Sequence, residues 1–119
     1  MTNGVYLGEW SSQEDMAKDF SNAYGEPLHE AMLADVVLAA YWTGSYEGDA
    51  LVIFRKDGKL FEVHGSHCSC YGLEGQWEPE QVEPEVLLGR LDRAGEYAYG
   101  AEGAFKDEIR KAINAAAPQ

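Results

Sequence analysis

The stretch ALVIFRKDGKLFEVH, residues 50–64, decides the fold class. Its two halves, 50–55 and 59–64, are rich in apolar β-branched and aromatic residues, which favour strands. Between them lies KDG (56–58), and an Asp-Gly pair tolerates the positive φ values of a tight hairpin turn. The sequence therefore predicts an antiparallel β-hairpin centred on this turn.

A third strand precedes the hairpin. DVVLAAYWTG (35–44) is a buried-type run of β-branched and aromatic residues, and a turn sequence follows it at 44–49. Adjacent strands joined by short turns pair antiparallel. We therefore expect a three-stranded antiparallel meander.

Helical periodicity appears on both sides of these strands. Ser11 and Glu14 fit a capping box, and the apolar residues that follow lie on one helical face. Pro84 fits the first turn of a second helix. The predicted helices span 11–24, 84–93 and 104–117, with a short helical turn or an irregular lead-in at 28–34. The expected fold is α+β, with about three helices packed on one face of the sheet.

The length and composition suit one globular domain over residues 1–119, with 45% hydrophobic and 12% aromatic residues. The longest apolar run, 36–42, is too short to cross a bilayer. The first ten residues show no signal-peptide pattern, which predicts a cytoplasmic protein without a membrane partner. Two cysteines one residue apart are not typical of a disulfide-stapled secreted domain.

Charge is the strongest compositional feature. Twenty-one Asp and Glu residues face nine Lys and Arg residues, a net charge of −12. Direct binding to nucleic acid is not expected, because like charges repel and no basic patch is present to release counterions. Binding to a basic surface, or imitation of DNA, fits this charge, although acidic surfaces also serve solubility alone.

The acidic residues are densest in EPEQVEPEV (78–86). The two prolines restrict this stretch to extended or turn conformations. The stretch fits a negative ribbon for binding a partner, and it equally fits a solvated loop that leads into a helix N-terminus. Its carboxylates belong to Glu78, Glu80, Glu83 and Glu85.

The segment VHGSHCSCYG (63–72) holds four potential metal ligands. Zinc takes four ligands in a tetrahedron, usually two from each of two separated segments, whereas all four here lie within seven residues. A zinc site would use His64, His67, Cys68 and Cys70.

Two other interpretations of this segment stay open. A cysteine nucleophile would need His64 or His67 as base and Glu62, Glu74 or Asp49 to orient it. Alternatively, the cysteines are small apolar residues buried beneath a loop, which is their commonest environment. In that structural interpretation Tyr71 and Trp77 anchor the loop by packing with Tyr41 and Trp42 at the sheet edge.

Residues 46–80 resemble a set of small, mostly uncharacterised bacteriophage and prophage proteins. The shared features are an aromatic-Glu-Gly turn, a Lys-Asp-Gly hairpin and the motif His-Cys-Ser-Cys-Tyr-Gly-Leu-Glu-x-Gln-Trp. The resemblance implies a phage-type accessory protein that works in a bacterial cytoplasm. It implies no particular activity.

The predicted function is that of a non-enzymatic interaction protein. A small acidic phage-type domain suits binding and inhibition of a host defence protein with a basic surface, such as a CRISPR effector, by steered association and aromatic anchors. We assign no catalytic residue and no cofactor, and the oligomeric state stays open. The alternative is a small zinc- or thiol-dependent enzyme centred on residues 64–70. The predicted interaction residues are Tyr46, Tyr71, Glu74, Trp77, Glu78, Glu80, Glu83 and Glu85.

Overall fold

A five-stranded mixed β-sheet organises the chain, in a computed structural model that describes residues 4–21, 24–44, 47–68, 72–93 and 101–116. The strands follow one another across the sheet in chain order. The elements are β1 (Val5–Gly8), α1 (Gln13–Asp19), α2 (His29–Leu33), β2 (Asp35–Gly44), β3 (Glu47–Lys56), β4 (Lys59–Cys68), β5 (Glu80–Val82), α3 (Pro84–Arg93), α4 (Ala101–Ala104) and α5 (Lys106–Ala116).

The predicted three-stranded antiparallel sheet is wrong, because a short strand is added at each edge. At one edge β1 pairs parallel with β2, and at the other β5 pairs antiparallel with β4. A parallel pair requires a crossover connection, which α1 and α2 provide here. The two added strands have only four and three residues, too few for a clear alternation of apolar and polar side chains.

The expectation that the helices pack on one face of the sheet is also wrong. Consecutive residues of β3, Val52 and Ile53, are fully buried in two separate apolar clusters, one on each side of the sheet. We call these sides the α1 face, where α1 and α2 pack, and the α5 face, where α3, α4 and α5 pack. The α1 face includes Trp10, Met16, Phe20 and Ala31, and the α5 face includes Leu87, Leu91, Ile109 and Ile113.

The hairpin is confirmed at its predicted turn. Asp57 and Gly58 have φ values of +54° and +76°, and β3 and β4 pair in register from Lys56 opposite Lys59 to Glu47 opposite Cys68. Both strands are longer than the predicted runs. In the described ranges, no helix has the length and apolar character needed to cross a bilayer.

The first helix is shorter than predicted, and its cap lies one residue later. The side chain of Ser12, not Ser11, accepts the backbone N–H of Asp15 at 3.2 Å, and the helix stops at Asp19. Leu28 N–H donates to the carbonyl of Ala17 at 3.0 Å, so the returning chain satisfies a carbonyl at the helix end.

Close backbone approach at the parallel edge requires a glycine. Gly8 has a φ of +73°, and a Cβ built there would overlap the carbonyl oxygen of Tyr41 on the paired strand. Because the obstacle is backbone, no side-chain rotation relieves it. This one position therefore fixes how β1 ends against β2.

We expect Gly8→Ala to lower the free energy of unfolding by about 2 kcal/mol or more, through backbone strain and overlap together. The matched control is Gly25→Ala, because Gly25 has a similar φ of +78° with no atom within 4 Å of the added Cβ. The control should lose only about 1 kcal/mol. Chemical denaturation measures both variants, and equal losses would contradict the role given to the Tyr41 carbonyl.

Candidate interaction surface

The loop after β4 is fastened to the sheet by the side-chain amide of Gln76. Its Oε1 accepts the backbone N–H of Ser66 at 2.9 Å, and its Nε2 donates to the Ser66 carbonyl, also at 2.9 Å. The same Nε2 donates to the carbonyl of Gly72 at 3.0 Å. The amide thus makes the pair of hydrogen bonds that a neighbouring strand would make with Ser66.

Leu73 and Glu74 of the Leu-Glu-x-Gln-Trp motif also stabilise the conformation of this loop. Leu73 is 1% exposed and packs over Gly65, where a Cβ would lie 2.9 Å from the leucine Cδ2. The Glu74 carboxylate accepts the N–H of Gly72 at 3.1 Å. Hydrogen bonds from the N–H groups of Glu74 itself and Gly72 lower the pKa of the Glu74 carboxyl. The motif therefore specifies a loop conformation.

Trp77 ends a row of three aromatic rings on the α1 face. Its ring stacks on Phe54 with centroids 5.7 Å apart, and Phe54 stacks on Phe61 at 5.5 Å, each pair tilted by 14°. Phe20 meets Trp77 edge-on at 5.3 Å. The predicted packing of Trp77 with Trp42 is wrong, because Trp42 lies against the α5 face.

A groove of about 650 Å³ opens beside this aromatic row. Phe54, Phe61 and Trp77 line it together with Leu33, whose side chain is 72% exposed at the end of α2. Leu33 and Phe61 were not predicted as interaction residues, because no local sequence pattern shows that α2 lies beside the β3–β4 hairpin.

The predicted acidic ribbon is exposed along β5 and the start of α3. Glu78, Glu80, Glu83 and Glu85 are all exposed, as is Glu74. Within the described part of the chain, none of the four ribbon carboxylates forms an ion pair. The sequence contains no Lys or Arg between Lys59 and Arg90, and Arg55 and Lys59 of the hairpin are the cations that line a small pocket together with Glu83.

Arg90, which follows this stretch, forms an ion pair with the buried carboxylate of Glu62. Its Nη2 donates to Oε1 of Glu62 at 2.9 Å, and that carboxylate, 7% exposed, is also hydrogen-bonded to His64. Burial acts to raise the pKa of Glu62, but the hydrogen bonds from His64 and Arg90 outweigh it and lower the pKa. Glu80 lies directly opposite Glu62 across β4 and β5 and stays exposed.

The structure places the two histidines of the predicted zinc site on opposite faces of the sheet. His64 and His67 lie three residues apart in β4, so their side chains point to opposite faces of the sheet. His64 meets Glu62 on the α5 face, whereas His67 meets the Tyr41 hydroxyl on the α1 face. Among the described residues, no three His, Cys, Asp or Glu side chains are grouped closely enough to hold a metal ion.

Hydrogen bonding identifies the tautomer of His67. Its Nδ1 donates to the carbonyl of Cys68 at 2.9 Å, which leaves Nε2 to accept the Tyr41 hydroxyl. Burial raises the pKa of Tyr41, with smaller contributions from the nearby carboxylates Asp19, Glu9 and Glu74. The contact between these two side chains fastens β2 to β4.

The remaining predicted site residues have mixed outcomes. Cys68 is exposed, so its predicted burial is wrong. Asp49, a candidate to orient a catalytic base, accepts the backbone N–H of Ala101 at 2.8 Å, at the start of α4. Cys70, Tyr46 and Tyr71 lie outside the described residues.

Comparison with known proteins adds no assignment: no protein-family model, curated protein or solved structure matches the chain significantly.

We expect Gln76→Ala to destabilise the fold by about 1–2 kcal/mol, because it removes the paired hydrogen bonds with Ser66. The matched control is Gln81→Ala on β5, an exposed glutamine, which should change stability by less than about 0.5 kcal/mol. Denaturation followed by tryptophan fluorescence measures both. Equal stability of the two variants would contradict the strand-like role of Gln76.

The Glu62 cluster predicts a pH-dependent contribution to stability. Because its folded pKa lies below the ordinary value of 4.5, the carboxylate stabilises the fold above that pH and loses this effect as the pH falls through the folded pKa. Glu62→Gln should cost about 1–3 kcal/mol at pH 7, and the difference from the parent should shrink as the pH falls through the folded pKa, which lies below 4.5.

The control for this prediction is Glu80→Gln, directly across the strand pair. Glu80 is exposed and faces a like charge, so its neutralisation should change stability by less than about 0.5 kcal/mol or raise it slightly. Urea denaturation at several pH values measures both. A Glu62→Gln deficit that is the same at pH 7 and pH 3 would contradict the ionic role of Glu62.

Proposed function

We propose that the protein is an acidic interaction protein that docks onto a basic surface of another protein. The single observation that carries the proposal is the unpaired acidic ribbon, Glu78, Glu80, Glu83 and Glu85. By contrast, the buried carboxylate Glu62 is already paired with Arg90 and His64. The ribbon charges are therefore available to a partner, whereas the buried charge serves the fold.

The placement of the ribbon supports docking more than chemistry. Its carboxylates are exposed along an edge strand and at the start of a helix. Exposed charges of one sign raise association rates with oppositely charged surfaces and contribute less to final affinity. The proposed role of the ribbon is therefore to steer the encounter and set its orientation.

The resemblance of residues 46–80 to small phage proteins gives the proposal its biological direction. A phage-type protein with net charge −12 suits inhibition of a bacterial defence protein that presents a nucleic-acid-binding groove. The protein would compete with nucleic acid for that groove, in the manner of an anti-CRISPR protein.

The test removes four charges from the ribbon and compares the result with an equal removal elsewhere. The ribbon variant carries Gln at Glu78, Glu80, Glu83 and Glu85. The matched control replaces Glu14, Glu47 and Glu108 by Gln and Asp107 by Asn, all exposed carboxylates, of which three lie in first turns of helices, as Glu85 does in the ribbon. Each protein captures partners from a bacterial lysate, and association rates with a captured partner are measured across rising salt.

The ribbon variant should associate at least about tenfold more slowly than the control at low salt, and its rate should depend less on ionic strength. Added DNA or RNA should displace the partner if a nucleic-acid groove is the target. Equal rates for the two variants, or an association indifferent to salt in the parent protein, would contradict the proposal.

A further inference from the structure

The groove beside Trp77 combines an apolar floor with an acidic rim. Its floor is the row formed by Phe61, Phe54 and Trp77, and the exposed Leu33 forms one wall. Its volume of about 650 Å³ falls within the ~300–1,000 Å³ range of ligand sites. A groove of this volume with three aromatic rings in its lining fits one large apolar side chain.

The charges around the groove determine which charged residues are favoured next to a bound apolar group. Three carboxylates line it, from Glu30, Asp35 and Asp57, together with the cationic residues Arg55 and Lys56. The Arg55 guanidinium, however, donates to the carbonyl of Ala116 at 3.1 Å in α5, on the opposite side of the sheet. Lys56 is thus the lining cation beside the two exposed carboxylates of Glu30 and Asp57, which leaves this part of the rim net negative.

We propose that this groove binds a cationic peptide segment of a partner protein. One apolar side chain of the segment sits on the Phe54–Phe61–Trp77 row, and Lys or Arg residues beside it meet the carboxylates of Glu30 and Asp57. A large apolar side chain gives such a contact its affinity by displacing water from the floor, while the rim charges discriminate against acidic and neutral segments.

This inference deepens the proposed function and rests on it in one respect, namely that the partner is a protein with a basic surface. The groove and the ribbon are different contacts, because the floor lies on the α1 face whereas Glu80 and Glu62 form a cross-strand pair beside Arg90 on the α5 face. Trp77, Glu78 and Pro79 connect the two along the chain. A partner would therefore be steered by the ribbon and anchored in the groove.

The experiment selects ligands without assuming their sequence. A random library of twelve-residue peptides is selected on the full chain, with counter-selection on the Leu33→Gln variant, whose substitution lies at a largely exposed position and leaves the ribbon intact. Peptides that depend on the groove should share an apolar residue flanked by Lys or Arg. No enrichment, or enrichment of acidic or uncharged peptides, would overturn the proposal.

The affinity of one selected peptide is then measured on a set of variants. Leu33→Gln and the double variant Glu30→Gln/Asp57→Asn should each weaken binding at least about fivefold. Asn is tolerated at the positive φ of Asp57, so the turn is kept. The control Val86→Gln removes another exposed apolar side chain, 52% exposed on α3, and should leave binding unchanged.

The ribbon variant separates the failure of this inference from that of the proposed function. If the peptide loses affinity on the ribbon variant and keeps it on Leu33→Gln, the groove proposal is overturned and the acidic docking surface stands. If the groove variants weaken binding while the ribbon variant changes neither peptide affinity nor salt dependence of partner association, the groove stands and the ribbon proposal fails.

Discussion

Burial of the central strands on both faces is the constraint on which the rest of the structure depends. In β2 and β3 consecutive residues such as Ala39 and Ala40, or Val52 and Ile53, are fully buried on opposite sides. Two apolar faces each need a covering layer, and the helices before and after the sheet supply one layer each. Once both faces are covered, the sheet edges, the strand ends and the surface of the helices are what a partner can reach.

The sheet edge next to β4 is covered by a short strand, β5, and by hydrogen bonds from the side chain of Gln76. β5 contributes only three residues, and near the end of β4 the amide of Gln76 takes the place of a strand. Short edge strands, flanking prolines and exposed charges all discourage pairing with another sheet, so the ribbon also protects this edge. This stretch carries five exposed carboxylates from Glu74 to Glu85 and no cation.

Local signals in the sequence predicted the central elements well. β2 spans 35–44 and α3 spans 84–93 as expected, and the Asp-Gly turn is placed correctly, because strand composition, a proline at a helix start and positive φ are properties of neighbouring residues. The number of covered faces is not a local property. A near-continuous apolar run such as 36–42 is nevertheless typical of a strand buried on both sides, so a signal for the second layer was present.

The two histidines of the candidate metal site lie on opposite faces of the sheet because β4 is longer than predicted. The third predicted strand ends at His64, and His67 and the cysteines fall in the predicted loop, where side chains can converge. In the structure β3 extends back to Glu47, so β4 stays paired as far as Cys68 and its side chains alternate between faces. Gly48 then leaves room for the His67 ring, which a Cβ there would overlap, beside Tyr41. The four additional paired residues of β4 thus place His64 and His67 on opposite faces, where each contacts a different side chain.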